Sequence, residues 1–211
     1  MSKIYLVYLF LLVILHMTNQ NFAQSRFDHF PEHKLPQEMS PQSNSLDPSV
    51  KKFPKMVVFD LDYTLWPFHV HELKPPFKKV GDRVEDAKGT LLNLYRDIPE
   101  IVKYLKDHNI KLALASRTVH IRNAYSLLHL LGLSDFFDYK EIFPAEKKIK
   151  HFANLKKDSK IKYKDMVFFD DEERNARSIS KLGVIGIQVM HSMTNGVLLK
   201  GLKKFAGDRS R

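Results

Sequence analysis

The stretch Met56-Val-Val-Phe-Asp-Leu-Asp-Tyr-Thr-Leu-Trp-Pro67 constrains this chain more than any other. Met56 to Phe59 are apolar and rich in β-branched and aromatic residues, which predicts a buried strand. The run breaks abruptly into two carboxylates, Asp60 and Asp62. Carboxylates are rarely buried unless paired or bound to a cation. Two of them at the carboxyl end of an apolar strand point to a site at the edge of an open α/β sheet. Taken alone, Asp-x-Asp is better read as a solvated turn, so the rest of the chain has to decide.

The chain has 211 residues, 44% of them hydrophobic, enough for one domain of ordinary size plus extensions. It has no cysteine, which excludes a disulfide framework, a thiolate zinc site and a cysteine nucleophile. The net charge of +10 fits an anionic partner, either nucleic acid or a phosphorylated substrate, or a solvated basic surface.

Residues 1–23 have the layout of a secretory signal peptide: Lys3, an apolar run from Ile4 to Leu15, then polar residues and Ala23. The run is shorter than the ~20 residues a spanning helix needs, so no stable membrane span is expected. Asn21 lies where a cleavage site prefers a small residue, which keeps an uncleaved anchor as the alternative. Residues 24–54, with Pro31, Pro36, Pro41, Pro48 and Pro54 among polar residues, read as a disordered linker. The folded domain is placed at 55–207.

From residue 55 strands and helices alternate. Strands are expected at Ile110 to Ala115, Tyr139 to Phe143, Met166 to Phe169 and Val184 to Val189. Helices are expected after Asp97, which caps Pro99 and an apolar face of Ile98, Ile101, Val102 and Leu105, and then at Val119 to Leu131, Lys148 to Lys156, Glu173 to Leu182 and Gly196 to Phe205. Asp82 to Asp86 and Thr90 to Leu94, around Lys88-Gly89, suggest a hairpin. The alternation predicts an α/β fold: a single Rossmann-like parallel sheet with helices on both faces, and a small β-hairpin flap in place of a full cap domain.

Three further stretches fall at strand ends. Ser116-Arg117-Thr118 offers a hydroxyl, a guanidinium and free N–H groups before a helix, a good phosphate cradle. Lys147 and Lys148 precede a basic helix, where an ammonium can balance a phosphate and a carboxylate together. Asp170-Asp171 follows the apolar run Met166 to Phe169. Adjacent carboxylates repel, so at least one needs a cation, and hard oxygen ligands suit Mg²⁺.

These stretches, Phe-Asp-Leu-Asp-Tyr-Thr-Leu-Trp-Pro, Ala-Ser-Arg-Thr, Glu-Ile-Phe-Pro with Lys and His151-Phe152, and Phe-Phe-Asp-Asp-Glu, resemble the four motifs of the haloacid dehalogenase superfamily. More narrowly they are similar to its small magnesium-dependent phosphatases of the acid phosphatase type, over roughly residues 55–205. The resemblance implies that Asp60 is the nucleophile and Asp62 the general acid and base. It implies that Ser116 and Arg117 hold the phosphate and that a third-motif lysine orients it. Mg²⁺ is expected among the Asp60 carboxylate, the Asp62 backbone carbonyl and a fourth-motif aspartate, with Asp171 as direct ligand and Asp170 behind it. The third motif carries one residue more than the family pattern. Counting forward from Pro144 selects Lys147, and counting back from His151 selects Lys148; Lys148 is favoured because it keeps the helix register and leaves Ile149 apolar.

The resemblance points to phosphate monoesters: phosphotyrosine in protein, phosphorylated sugars or glycated amines. Trp66, Phe68 and Phe77 are candidates to line the entrance. The lysines are spread without interleaved aromatics, which argues against a nucleic-acid end phosphatase. Intact Asp60 and Asp62 argue against a non-catalytic phosphate-binding module. A monomer acting on a phosphorylated small molecule or phosphoprotein is expected.

Overall fold

A computed structural model describes residue 50 and residues 52–208. The signal peptide assigned to 1–23, and all of the 24–54 linker except Val50 and residues 52–54, lie outside the described residues. In chain order the elements are β1 (Met56–Phe59), β2 (Lys78–Val80), β3 (Arg83–Glu85), α1 (Ile98–Asp107), β4 (Lys111–Ser116), α2 (Ile121–Leu130), β5 (Tyr139–Ile142), α3 (Ile149–Ser159), β6 (Met166–Asp170), α4 (Glu173–Ser180), β7 (Ile185–Gln188) and α5 (Asn195–Asp208).

The main sheet has five strands in the order β5-β4-β1-β6-β7. Every pairing is parallel, with Phe59 level with Leu114 on one side and Phe169 on the other. β1 is central and fully buried, which is why its sequence is a continuous apolar run rather than an alternating one. One face, built from Met56, Val58, Ala113, Ala115, Met166 and Phe168, packs on Phe152 and Leu155 of α3 and Ile179 of α4. On the other face the Phe59 and Phe169 rings stack at 5.5 Å. There α5 approaches so closely that a Cβ on Gly201 would lie 2.6 Å from Phe169 Cζ. The expected fold class, a parallel sheet with helices on both faces, is therefore the observed one.

The chain runs from β1 to β4 on one side of the sheet and later to β6 on the other. The ends of β1, β4 and β6 consequently open into one crevice, the topological switch point where open α/β sheets bind ligands. Ser116 and Asp170 are the last residues of β4 and β6, so each strand ends one position later than the sequence suggested. This fixes their side chains in the sheet rather than in the following loops.

Two local expectations are corrected. The hairpin pairs Lys78–Val80 with Arg83–Glu85 through Gly81-Asp82, one turn before the expected Lys88-Gly89. Gly81, at φ 60, supplies the left-handed turn residue. The Lys88-Gly89 region is instead wrapped around Asp86, whose carboxylate accepts N–H bonds from Lys74, Lys88 and Thr90. Those N–H groups are thereby spent on a side chain rather than a ladder. The expected second strand is present only in part: the Glu85 to Leu91 bridge joins it to β3, with the Asp86 N–H on the Thr90 carbonyl at 3.0 Å and the Leu92 N–H on the Val84 carbonyl at 2.8 Å.

Asp97 does precede α1, but its carboxylate makes no cap bond there. It accepts the Asn195 N–H at 3.1 Å instead, tying the starts of α1 and α5 together. Among the described residues no helix is long and apolar enough to cross a membrane.

Candidate active site

Asp60 follows β1 directly and is nearly buried, with its own N–H bonded to the Phe169 carbonyl of β6 at 2.9 Å. The chain then turns through Tyr63, a non-glycine residue at φ 52. Backbone of this kind is held only where its surroundings over-determine it. The turn brings Asp62 back to the same crevice. Its carboxylate is fixed from two sides: Trp66 Nε1–H donates to Oδ1 at 2.9 Å and the Val70 N–H donates to Oδ2 at 3.2 Å. Trp66 is thus fully buried and stacked on Phe68, and it does not line the entrance as expected. Nor do Phe68 or Phe77; the pocket is lined by charged, polar and imidazole groups together with Val119, Pro144 and Ala145.

The lysine ambiguity resolves in space. Lys148 is buried at the foot of α3, its Nζ 2.5 Å from Asp60 Oδ1 and 2.6 Å from Asp170 Oδ2. Lys147 points away: it is largely exposed and lies 3.6 Å from the Glu146 carboxylate. Burial pulls the Lys148 ammonium down, but Asp60 and Asp170 outweigh it and hold the group above its ordinary value. Burial pushes the Asp60 carboxyl up to about 7 against the pull of Lys148, with repulsion from Asp170 and Asp62 adding to the rise.

Asp170 is fully buried and its oxygens are taken by protein donors: Lys148, the Glu172 N–H at 2.8 Å and the Asn175 amide at 3.0 Å. Asp171 is half-buried and lines the pocket, its carboxyl raised by burial and then by Asp170 and Glu172. Asp60, Asp170 and Asp171 each offer an oxygen, all within 4.8 Å of one another. Three carboxylates, of which only Asp60 and Asp170 are paired with Lys148, suit a hard divalent cation, and the donor set fits Mg²⁺.

Ser116 is buried at the end of β4, its Oγ accepting the Thr118 N–H at 3.3 Å. Arg117 reaches the Glu146 carbonyl at 3.0 Å and Glu172 at 3.2 Å. These residues share an open pocket of about 760 Å³ with Asp60, Asp62, Lys148 and Asp171. Seven of the eight residues singled out in the sequence therefore meet at the crevice, and Lys147 does not.

Three supporting residues were not assigned a role. Asn175 and Glu172 bind Asp170 and Arg117 from the start of α4. Their place in the first turn after Asp170-Asp171 was the available signal. His151, read only as a register mark, is fully buried and its Nε2 lies 2.9 Å from the Ser116 carbonyl and 3.0 Å from that of Phe143. Two carbonyl partners make Nε2 the protonated nitrogen, and burial keeps the ring below its ordinary pKa. It pins the ends of β4 and β5 beside the site.

A family model described as Acid Phosphatase matches residues 52–208. The chain belongs to the Acid Phosphatase family. This family member is 44% identical over 157 residues to human "Magnesium-dependent phosphatase 1", covering 74% of this chain and 89% of the relative. It is 36% identical over 160 residues to a HAD-like hydrolase superfamily protein of Schizosaccharomyces pombe, covering 70% and 92% of the two chains. Among solved structures, a HAD-superfamily hydrolase from Ehrlichia chaffeensis superposes with a TM-score of 0.55 at 15% identity, over 73% of this chain and 98% of that one. The superfamily read from the four motifs is therefore the one the chain belongs to.

Proposed function

We propose that this protein is a magnesium-dependent phosphatase that hydrolyses phosphate monoesters through an aspartyl-phosphate on Asp60. The observation that carries this reading is the meeting of Asp60, Asp62, Ser116, Arg117, Lys148 and Asp171 in one pocket at the switch point. The name of the human relative supports the metal and the reaction class.

Asp60 attacks the phosphorus, and the bond to the ester oxygen breaks. Asp62, aimed by Trp66 and the Val70 N–H, gives its proton to that oxygen. Water then attacks the phosphoenzyme, Asp62 takes a proton from it, and the bond to Asp60 breaks to release inorganic phosphate. Ser116 and Arg117 hold the phosphoryl oxygens, and entry of phosphate draws Arg117 from Glu172. Lys148 sits between nucleophile and Asp170 and balances their charge. Bound among Asp60, Asp170 and Asp171, Mg²⁺ supplies the positive charge that offsets repulsion between a carboxylate and a phosphate dianion. Asp171 is the direct carboxylate ligand in this reading, because both Asp170 oxygens already accept protein donors.

The substrate class in this reading comes from the family resemblance, and the entrance is compatible with it. The small hairpin, the two-stranded β2-β3 sheet, leaves the pocket open, which suits bulky esters such as phosphotyrosine in protein, phosphorylated sugars and glycated amines. Secretory routing through residues 1–23 belongs to the same reading and rests on Lys3 and the apolar run after it. Turnover of nitrophenyl phosphate, phosphotyrosine peptides, sugar phosphates and 5′-phosphorylated DNA with and without Mg²⁺ tests the reading. Turnover that needs Mg²⁺ supports it, and equal turnover in excess chelator overturns it.

A further inference from the structure

At the mouth of the pocket lies a second donor cluster of different chemistry. Asp62, His69 and His71 each offer one ligand atom, and these atoms lie within 4.8 Å of one another. His69 Nδ1 is 3.5 Å from Asp62 Oδ2. The His69 and His71 rings stand 4.9 Å apart and nearly parallel, and His120 continues the row, 6.4 Å from His71. His69 and His71 flank Val70, whose fully buried side chain anchors the short 3-10 turn that carries them. The Tyr63 ring buttresses His69 edge-on at 4.7 Å. The Asp62 carboxylate is already oriented by the Trp66 indole and the Val70 N–H. Such outer partners are what fix a ligating carboxylate.

We infer that Asp62, His69 and His71 form a zinc site at the entrance of the phosphatase pocket. Two imidazoles and a carboxylate are borderline-soft donors that suit Zn²⁺, whereas the all-oxygen set of Asp60, Asp170 and Asp171 suits Mg²⁺. The protein thus carries two neighbouring cation sites of opposite preference. Zinc on Asp62 occupies the carboxylate that the reaction uses for proton transfer, so it acts as an inhibitor that Mg²⁺ does not displace. This consequence rests on the proposed function; the binding itself does not.

The test is equilibrium dialysis of the full-length chain against Zn²⁺ in excess Mg²⁺, with bound metal counted, followed by Co²⁺ substitution to read the coordination geometry from its visible spectrum. The unsubstituted protein and Asp171→Asn are expected to retain the zinc equivalent. The double variant His69→Gln/His71→Gln is expected to lose one equivalent, or to bind it about tenfold or more weakly. Equal zinc uptake by the double variant overturns the site, and so does loss of that equivalent in Asp171→Asn, which places the metal among the carboxylates. In parallel, zinc titrated into the Mg²⁺-dependent assay is expected to inhibit the unsubstituted protein at lower concentration than the double variant. Zinc bound with turnover unchanged keeps the site and overturns the role given to Asp62.

Discussion

Trp66 Nε1–H donates to Asp62 Oδ1 at 2.9 Å, four residues away, so a fully buried indole sets the direction of a carboxylate in an open pocket. Trp66→Phe keeps most of the apolar ring and removes the donor. With kcat read on two substrates, the loss is expected to be several-fold for an alkyl phosphate and smaller for nitrophenyl phosphate, whose leaving group barely needs a proton. An equal loss on both substrates makes Trp66 merely a packing residue.

Lys148 and Lys147 are adjacent in sequence and opposite in consequence. Lys148→Ala leaves the Asp60 and Asp170 carboxylates facing each other without their cation, and breaking a buried pair typically costs about 3–5 kcal/mol. Both kcat/KM and the melting temperature are expected to fall, with added Mg²⁺ restoring part of the stability. Lys147→Ala, at a largely exposed position, is expected to change neither measurably. The opposite ranking would reassign the third motif.

Asp138 gives a pH-dependent term far from the chemistry. Burial pushes its carboxyl up, but donors from Lys111, the Leu112 N–H and Lys106 outweigh this and hold it below the ordinary 3.8. A carboxyl with a depressed folded-state pKa contributes stability that is full above the unfolded value and lost as pH falls through the folded one. Asp138→Asn is therefore expected to be less stable by about 1 kcal/mol at neutral pH. The gap in denaturant midpoint is expected to close below the ordinary carboxylate range, and a gap that persists there contradicts the assignment.

Gly186 lies where β7 meets α4, and a Cβ there would come within 2.5 Å of Ser180 Oγ and press on the Ala176 carbonyl oxygen. Because that oxygen belongs to backbone, relief requires the helix to move. Gly186→Ala is expected to cost about 1–3 kcal/mol in unfolding free energy. A neutral result places α4 farther from the sheet.

The fold and most of the site were legible because they rest on short-range signals. β1, β4 and β6 are apolar runs, and each hands its carboxylate or hydroxyl to the loop end at a position that counting alone finds. What stayed hidden depends on who meets whom across the chain. The helix register favoured Lys148 over Lys147, but that its ammonium meets Asp60, 88 residues away, could not be read from it. Trp66 reads as an aromatic rim residue until its bond to Asp62 is seen. Asp97 has the sequence of a helix cap but serves Asn195, 98 residues on. The main hairpin forms one turn earlier than expected, around Gly81-Asp82, while the Asp86 carboxylate takes the Lys88 and Thr90 N–H groups of the expected turn. His69 and His71 were given no role from the sequence, and only the 3-10 turn at Val70 sets them against Asp62.

The most direct measurement follows label from a radioactive aryl phosphate in two single variants. Asp62→Asn leaves the nucleophile in place but removes the base that activates water, help typically worth ~10²–10⁴-fold. It is expected to accumulate acid-stable, hydroxylamine-sensitive label on Asp60. Asp60→Asn removes the attacking carboxylate and is expected to take up none. Label on a serine or histidine, or label that persists in Asp60→Asn, contradicts the aspartyl-phosphate account.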